Sequence, residues 1–250
     1  MSRNGNVAVA IPARYGSTRF PGKPLAEIAG KPMIQWVCER AREARRIDHV
    51  VVATDHEEIR AAVEAFGGRA VMTSPDHLSG TDRIAEAVKG LEADLVVNLQ
   101  GDEPLLPGSL IDRLVEAIEQ AGTEMATVAV PLDRDAPEAD DPNVVKVVTD
   151  TRGRALYFSR APIPFARAGG APVPMLWHWG IYAYRRAFLE TFVRWPPGRL
   201  ETCEKLEQLR ALEHGAEIAV ITAETPDSGG VDVPADVQRV EALLRERGEV

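Results

Sequence analysis

A basic, glycine-containing loop follows the first strand-like run of the sequence. The loop reads PARYGSTRFPGKPL and carries the cations Arg14, Arg19 and Lys23 together with Gly16 and Gly22. In an open α/β sheet, ligands bind beyond the carboxyl ends of the strands. Glycines let backbone N–H groups approach phosphate oxygens, and Arg and Lys neutralise the phosphate charge. The loop therefore predicts a polyphosphate site.

The spacing of this loop excludes two familiar phosphate motifs. A Walker A loop has four residues between its first glycine and the Gly-Lys pair, followed by Ser or Thr. Here five residues separate Gly16 from Gly22, and Pro24 follows Lys23. The GxGxxG fingerprint of dinucleotide-binding proteins is absent. The competing interpretation is a glycine-rich turn with solvated charges. The convergence of three cations on an acidic chain weighs against it.

Two acidic positions are candidates for holding a divalent cation. Asp102 follows the apolar run 95–99, and a carboxylate at the carboxyl end of a strand can hold Mg²⁺ against phosphates. The alternative there is an acidic turn that caps the helix after Pro107. Asp232 lies in GGVDVP, and spacing alone favours an ordinary loop acid, because Asp236 is the better cap for the following helix.

The elements that position these residues alternate between two sequence periods. Short apolar or β-branched runs predict buried strands at 7–11, 50–53, 70–72 and 95–99. Apolar residues at helical spacing predict helices between these strands and after the last one, and Ser79 is expected to cap one of them. This alternation predicts βαβ units and a mainly parallel sheet, hence an α/β fold.

The middle of the chain departs from this alternation. Apolar runs at 144–149 and 155–159 flank the polar turn 150–154, which indicates a hairpin. A segment rich in Pro, Gly and Ala, 161–174, and another strand, 177–184, follow. We interpret 133–184 as a smaller, β-rich excursion that serves dimerisation or the sugar side of a site. The whole chain, 1–250, is expected to form a single domain.

Composition limits the partners of the chain. Among 250 residues, 29 are Lys or Arg and 38 are Asp or Glu, so the net charge is −9. Such a surface repels nucleic acid and anionic membranes. Apolar stretches are too short for a bilayer span, and the N-terminus does not resemble a signal peptide. Cys38 and Cys203 show no metal-ligand spacing, which indicates a reducing compartment. We expect a soluble, cytoplasmic protein without nucleic-acid or membrane partners.

Beyond these separate patterns, a series of motifs resembles one family over nearly the whole chain. It begins with IPARYGSTRFPGKPL at 11–25. The others, in order, are VATDHEEI (52–59), SGTDR (79–83), NLQGDEP (98–104), PNVVKVV (142–148), ALYFSRAPIPF (155–165), HWGIYAYR (178–185), LEQLRALE (206–213) and GVDVPAD (230–236). The family is that of the 3-deoxy-manno-octulosonate cytidylyltransferases, or CMP-Kdo synthetases. The resemblance implies the Rossmann-like fold of the nucleotide-diphospho-sugar transferases, of GT-A type, and a homodimer.

The resemblance also assigns a role to each matching position. Nucleotide contacts fall on Ala13, Arg14, Arg19, Lys23, Ser79 and Gln100. Mg²⁺ ligation falls on Asp102 and Asp232, which raises Asp232 above an ordinary loop acid. Catalysis falls on Lys23, Asp102 and Asp232. Contacts with the sugar fall on Arg160, His178, Tyr182, Glu207 and Gln208.

The implied reaction joins CTP to an acidic eight-carbon sugar. The anomeric hydroxyl of 3-deoxy-D-manno-octulosonate (Kdo) attacks the α-phosphorus, pyrophosphate leaves, and CMP-Kdo forms for lipopolysaccharide biosynthesis. Such a transfer needs mainly positioning and charge stabilisation. Two alternatives stay open. One is transfer to 8-amino-Kdo or a sialic acid. The other is a non-catalytic nucleotide-sugar binding module, which should lack Lys23, Asp102 or Asp232.

The residues on the sugar side have plainer interpretations. A lone histidine in an apolar strand, such as His178, is more often a packed residue than a base, and Tyr182 can equally be a packing aromatic. Glu207 and its neighbours lie in a charged stretch, 201–213, which predicts one helix with a solvated face. Trp177 stands where the family often carries Arg or Lys, so the sugar contacts depart from the family pattern.

Overall fold

The computed structural model describes residues 5–16, 20–168, 173–224 and 230–250. Its strands are β1 (Val7–Ala13), β2 (Glu27–Ile28), β3 (Lys31–Pro32), β4 (His49–Thr54), β5 (Ala70–Met72), β6 (Leu95–Asn98), β7 (Met125–Leu132), β8 (Lys146–Thr149), β9 (Ala155–Ser159), β10 (Met175–Arg185) and β11 (Ile218–Thr222). Its α-helices are α1 (Met33–Arg42), α2 (Glu57–Ala65), α3 (Gly80–Ala87), α4 (Gly108–Ala121), α5 (Arg186–Phe192), α6 (Arg199–Glu204), α7 (Gln208–Glu213) and α8 (Pro234–Glu246). Within these ranges, no helix has both the length and the apolar character that a membrane crossing requires.

The chain forms two compact units. The first holds the described residues of Met1–Asp112 and Pro226–Val250, and the second holds those of Arg113–Thr225. The second unit extends beyond 133–184 at both ends. The single domain 1–250 and the dimerisation role of the excursion stay predictions.

Four parallel strands form the centre of the first unit. They lie in the order β5–β4–β1–β6. Every residue of β1 except Pro12 is buried. A strand lies on each side of β1, and the helices that connect the parallel strands cover the sheet. These are the four strands that the apolar runs predict, with ends within two residues. Because they are parallel, their carboxyl ends meet at one edge, where ligands bind in open α/β sheets.

A second apolar cluster joins the two ends of the chain within the first unit. Ile28, Met33 and Trp36 pack against Val231 and Leu244, all of them buried. The Trp36 indole N–H donates to the Ile28 carbonyl at 2.8 Å, so the ring has a polar partner as well as apolar contacts. This packing brings the segment before α8 back to the region that follows β1.

The second unit is richer in antiparallel pairing. β11 and β7 are parallel, whereas β10 pairs antiparallel with both β7 and β8, and β8 pairs antiparallel with β9. The β8–β9 pair confirms the predicted hairpin.

The prediction of one helix over 201–213 is wrong. α6 ends before Lys205, which adopts a left-handed conformation with φ of 55°, and α7 begins at Gln208. Arg160 donates to the Glu204 carbonyl at 2.6 Å and to the Lys205 carbonyl at 3.3 Å. A distant arginine therefore satisfies the carbonyl groups that the helix end leaves unpaired.

Candidate active site

The loop after β1 delivers Lys23 to the carboxyl edge of the strands. Gly22 has φ of 69°, which favours glycine, and a short 3-10 helix, Lys23–Leu25, begins directly after it. The Gly22 N–H donates across the loop to the Tyr15 carbonyl at 3.0 Å. This hydrogen bond joins the described parts of the predicted phosphate loop on either side of residues 17–19, and Lys23, directly after Gly22, directs its ammonium group to the edge.

The Lys23 ammonium lies among three oxygen groups. Nζ donates to Oδ2 of Asp102 at 2.7 Å and to the Val231 carbonyl at 2.9 Å, and it lies 3.7 Å from Oδ1 of Asp232. The lysine side chain is only 17% exposed, whereas Asp102 and Asp232 are 32% and 56% exposed. Three distant parts of the sequence therefore meet at the Lys23 ammonium group, and the two carboxylates remain partly exposed to solvent.

Close backbone packing fixes the two carboxylates. A Cβ on Gly101 would lie 2.9 Å from the Pro12 carbonyl oxygen, so the segment after β6 touches the end of β1. The Val231 N–H donates to the Asp102 carbonyl at 2.9 Å. The segment carrying Asp232 is therefore tied to the segment carrying Asp102 through the backbone.

The N-terminus of α8 orients Asp232. α8 begins at Pro234, directly after Val233. The Asp236 carboxylate accepts from the backbone N–H groups of Asp232 at 2.8 Å and Val233 at 3.0 Å. Although desolvation opposes it, hydrogen bonding from these N–H groups lowers the pKa of Asp236. Asp236 thus caps the helix from its third position, whereas the sequence predicts it as the N-cap residue, a place that Val233 holds. Asp232 keeps its carboxylate for other contacts.

The donor set around Lys23 suits a hard divalent cation. Among the described residues, no cluster of three or more His, Cys, Asp and Glu side chains is arranged to hold a metal. Two carboxylates and one carbonyl do surround a positive charge at Lys23 Nζ. Mg²⁺ typically takes one or two protein carboxylates and completes its shell with water and phosphate oxygens. Asp102 and Asp232 fit that pattern.

A cleft of about 430 Å³ opens at this edge of the first unit, a size typical of small-molecule sites. Its lining includes the predicted residues Ala13, Arg14, Lys23, Ser79, Gln100, Asp102 and Asp232. Arg19 lies outside the described residues. The structure therefore brings together every described residue that the sequence predicts for nucleotide, metal and catalysis.

The N-terminus of α3 forms another wall of the cleft. Ser79 caps α3 with a reciprocal pair of bonds: its Oγ accepts from the Asp82 N–H at 3.1 Å, and the Asp82 carboxylate accepts from the Ser79 N–H at 3.2 Å. This confirms the predicted cap. A Cβ on Gly80 would lie 3.3 Å from Pro12, so the helix start packs against the end of β1. A helix N-terminus at this place favours an anionic ligand.

Two cleft residues escape the sequence argument. Arg83 is 4% exposed and lies between Thr73 Oγ1 at 2.7 Å and Asp55 Oδ2 at 2.6 Å. His77 pairs with Glu86, whose pKa is lowered by the Ser74 N–H and by His77. Arg83 closes the SGTDR motif and Asp55 lies in VATDHEEI. The signal was present, but their pairing spans 28 residues.

In the second unit, His178 and Tyr182 lie in an aromatic cluster. His178 Nε2 is 2.9 Å from Thr127 Oγ1, and the His178 ring meets Phe158 edge-on at 4.9 Å and Tyr182 at 5.4 Å. Burial lowers the pKa of His178 to about 3. Burial, with the charge of Glu207, raises the pKa of Tyr182. Both side chains are therefore neutral near pH 7, and His178 is packed as the plainer interpretation states.

The other predicted sugar-side residues surround the break between α6 and α7. Arg160 donates to the carbonyls of Pro142, Glu204 and Lys205. Oε1 of Glu207 lies 3.6 Å from Nη2 of Arg210. Gln208 is only 5% exposed, so the solvated helix face expected there is wrong at this position.

Lys146 is a buried cation next to this group that the sequence argument missed. Its Nζ donates to the carbonyls of Asp141 at 2.9 Å and Arg160 at 2.8 Å, and desolvation lowers its pKa. The signal lay in the PNVVKVV motif. Trp177, at the position where the family pattern is broken, pairs with Lys146 across β10 and β8.

The class of protein follows from the first unit. An α/β sheet with a basic loop, a helix N-terminus and two converging carboxylates at its carboxyl edge defines a nucleotide-binding transferase of Rossmann-like architecture. The cytidylyltransferase family matches residues 8–218 of the sequence. The chain belongs to the cytidylyltransferase family.

Individual relatives within this family show which of its members the chain is similar to. The chain is 56% identical over 239 residues to a 3-deoxy-manno-octulosonate cytidylyltransferase of Syntrophobacter fumaroxidans, covering 94% of this chain and 95% of that protein. It is 51% identical over 250 residues to the one of Vibrio cholerae serotype O1, covering 96% and 98%. A solved CMP:2-keto-3-deoxy-manno-octonic acid synthetase complexed with CTP superposes with a TM-score of 0.92 at 44% identity, covering 97% and 99%. The predicted fold class and family resemblance are confirmed.

The buried imidazole predicts a pH dependence of stability. The unfolded chain binds a proton at His178 below about pH 6.5, whereas the folded chain does not until about pH 3, so stability falls as pH falls through that interval. Between pH 7.5 and 5.0, wild type should lose ~2 kcal/mol more of its free energy of unfolding than His178→Asn. Urea titrations at the two pH values measure this difference, with His214→Asn as the control for removing an exposed imidazole. Equal losses in wild type and His178→Asn would show that His178 titrates normally in the fold.

Proposed function

We propose that the chain transfers the cytidylyl group of CTP to 3-deoxy-D-manno-octulosonate, forming CMP-Kdo and pyrophosphate. The observation that carries the proposal is the convergence of Lys23 with Asp102 and Asp232 at the edge of a cleft. These are the charges that a transfer at a triphosphate requires. The relatives that bear this activity in their names cover nearly the whole chain.

The residues of the first unit have distinct roles in this reaction. Lys23 and Arg14 neutralise the charge that develops on the departing pyrophosphate. Ser79 and Gln100 contact the cytidine, and the N-terminus of α3 adds a favourable field for the phosphates. Arg19 belongs to the same loop by sequence and is proposed to face the triphosphate.

Asp102 and Asp232 are the residues that would hold Mg²⁺. The ion, when bound with CTP, neutralises phosphate charge and lowers the pKa of a coordinated hydroxyl. Lys23 contacts both carboxylates, so the same oxygen atoms serve the lysine or a metal. The lysine thereby lies within reach of phosphates that a metal ion on these carboxylates would hold.

The residues of the second unit are proposed to bind the sugar. Arg160 supplies a fixed positive charge for a carboxylate, and Glu207 and Gln208 supply acceptors and donors for hydroxyl groups. His178 and Tyr182 are neutral, so they act by hydrogen bonding and packing and not by proton transfer. Transfer to 8-amino-Kdo or a sialic acid is less favoured because the matched relatives carry the Kdo name. A non-catalytic module is less favoured because all three catalytic candidates are present and adjacent.

Pyrophosphate release tests the proposed function. The protein is incubated with CTP and Mg²⁺ and with Kdo, 8-amino-Kdo or N-acetylneuraminate. We expect release with Kdo at a rate at least about tenfold above the other sugars, since a site built for one pattern of polar groups rejects analogues that leave its groups unpaired. UTP in place of CTP is the nucleotide control. Faster release with another sugar would replace the acceptor, and no release from folded protein would remove the transferase activity.

The chain is further proposed to be a cytoplasmic homodimer without nucleic-acid or membrane partners. Cys38 is buried, which raises its pKa to about 12, and it is free, as is Cys203. Free thiols suit a reducing compartment, and a net charge of −9 disfavours nucleic acid. Leu156 and Phe165 are 61% and 88% exposed within 133–184. Apolar groups exposed in this way suit contact with a second copy.

A charged residue in place of Leu156, which lies on β9, tests the proposed dimer surface. Among the described strands, β9 pairs with β8 alone. Sedimentation equilibrium should give twice the mass of one chain for wild type. Leu156→Asp should weaken association at least about tenfold, because burying an unpaired carboxylate is costly. Leu78→Asp, at an apolar position of the first unit that is even more exposed, is the control. A monomeric wild type would contradict the dimer.

A further inference from the structure

Tyr15 lies in the loop that carries Lys23, but it is not among the described residues that line the cleft. Its backbone carbonyl accepts the hydrogen bond from the Gly22 N–H at 3.0 Å. Its ring lies against the same glycine: a Cβ on Gly22 would be 3.4 Å from Cε2 of Tyr15. Both the backbone and the side chain of Tyr15 therefore contact the residue that immediately precedes Lys23.

The ring of Tyr15 also contacts the segment that connects β4 to α2. The rings of Tyr15 and His56 stack with centroids 4.1 Å apart and an angle of 18° between their planes. His56 is the N-cap residue of α2 and follows β4, which lies next to β1 with Ala13 opposite Thr54. The stack thus links the loops that leave two adjacent parallel strands.

The ring and the backbone of His56 make separate contacts, and the ring stacks on Tyr15. Its Nδ1 atom is buried and has no hydrogen-bond partner among the described residues. The backbone of His56 is fixed independently, by the N–H that donates to Thr54 Oγ1 at 3.2 Å and the carbonyl that accepts from Arg60 at 3.1 Å. His56 is therefore a fixed platform whose ring face is available to Tyr15.

We propose that Tyr15, held between His56 and Gly22, is a positioning residue that fixes Lys23 against Asp102. The inference rests on the proposed function for its kinetic consequence but not for its structural one. Gly22 adopts the left-handed conformation that glycine takes readily, and the 3-10 helix that aims Lys23 begins directly after it. Without the ring, the turn loses the side-chain contact that links it to the β4–α2 connection, and the Lys23 ammonium loses its defined place.

The ring is tested by comparing Tyr15→Leu with Tyr15→Phe. Removing the ring should speed exchange of the Gly22 amide and acylation of Lys23 by acetic anhydride, both followed by mass spectrometry, by about tenfold or more. Tyr15→Phe should stay within about twofold of wild type. Phe66→Leu, which removes a half-buried ring at the end of α2, is the matched control. Unchanged acylation in Tyr15→Leu, or equal effects of Leu and Phe, would overturn the proposal.

A kinetic cycle separates positioning from general stability. Misplacement of a catalytic group by about 1 Å can cost on the order of 100-fold in rate. Tyr15→Leu should therefore lower kcat by about 10- to 100-fold, with KM for CTP changed less than about threefold. It should have little further effect in a Lys23→Ala background, since residues that act together are not additive. Full additivity of the two substitutions would overturn the proposal.

The partner side of the stack gives a second, independent pair of variants. His56→Ala should reproduce the acylation and kinetic effects of Tyr15→Leu, and His56→Phe, which keeps a ring, should restore the wild-type values. This pair decides the question if Tyr15→Leu does not fold. Amide exchange and acylation need no acceptor sugar, so they still decide the role of Tyr15 if wild type releases no pyrophosphate. Wild-type acylation of Lys23 in His56→Ala would overturn the proposal.

Discussion

The bond between the Lys23 ammonium and the Asp102 carboxylate is the interaction on which the candidate site depends. It joins the loop after β1 to the segment after β6 at 2.7 Å, and the Val231 carbonyl and Asp232 bring in the C-terminal segment at the same point. An ammonium group that is mostly shielded from water needs such partners, because an unpaired buried charge is strongly unfavourable. The partners are not fully shielded, so they are available to a ligand.

The surrounding fold serves to keep that contact in place. Parallel pairing of β4, β1 and β6 brings the ends of these strands to one edge. Close approach of Gly101 to Pro12 leaves no room for a side chain between them. Packing of Val231 and Leu244 on Trp36 holds the C-terminal segment against α1. Each of these is a rigid, apolar or backbone contact, and together they hold charged groups at fixed distances, as transition-state stabilisation requires.

Local patterns in the sequence predict most of the first unit. The strand runs and the Ser79–Asp82 cap depend on residues close in sequence, and the structure confirms both. The basic loop is equally local, and its described cations Arg14 and Lys23 line the cleft, whereas its phosphate-binding role stays a prediction. Asp232 is different, because its proximity to Lys23 spans more than 200 residues, and only the family resemblance raised it above a loop acid. The prediction of one helix over 201–213 is wrong because a contact distant in sequence decides the structure there. The periodicity of the sequence cannot show that Arg160 will satisfy the carbonyls of a break at Lys205. The Asp55–Arg83 pair was missed although both residues lie in recognised motifs.

The effect of Mg²⁺ on CTP binding shows whether the Asp102 carboxylate takes part in the metal site. It is measured for wild type, for Asp102→Asn and for Glu58→Gln, which is the control for losing an exposed charge. Calorimetric titration with CTP, with and without Mg²⁺, gives the gain in affinity that the ion supplies, and thermal unfolding verifies the fold. Asp102→Asn should lose this gain, and its rate of pyrophosphate release should fall by about 100-fold or more. Glu58→Gln should keep both. A Mg²⁺-dependent gain in Asp102→Asn equal to that of wild type would contradict the account, because the carboxylate that holds Lys23 would then have no part in the metal site.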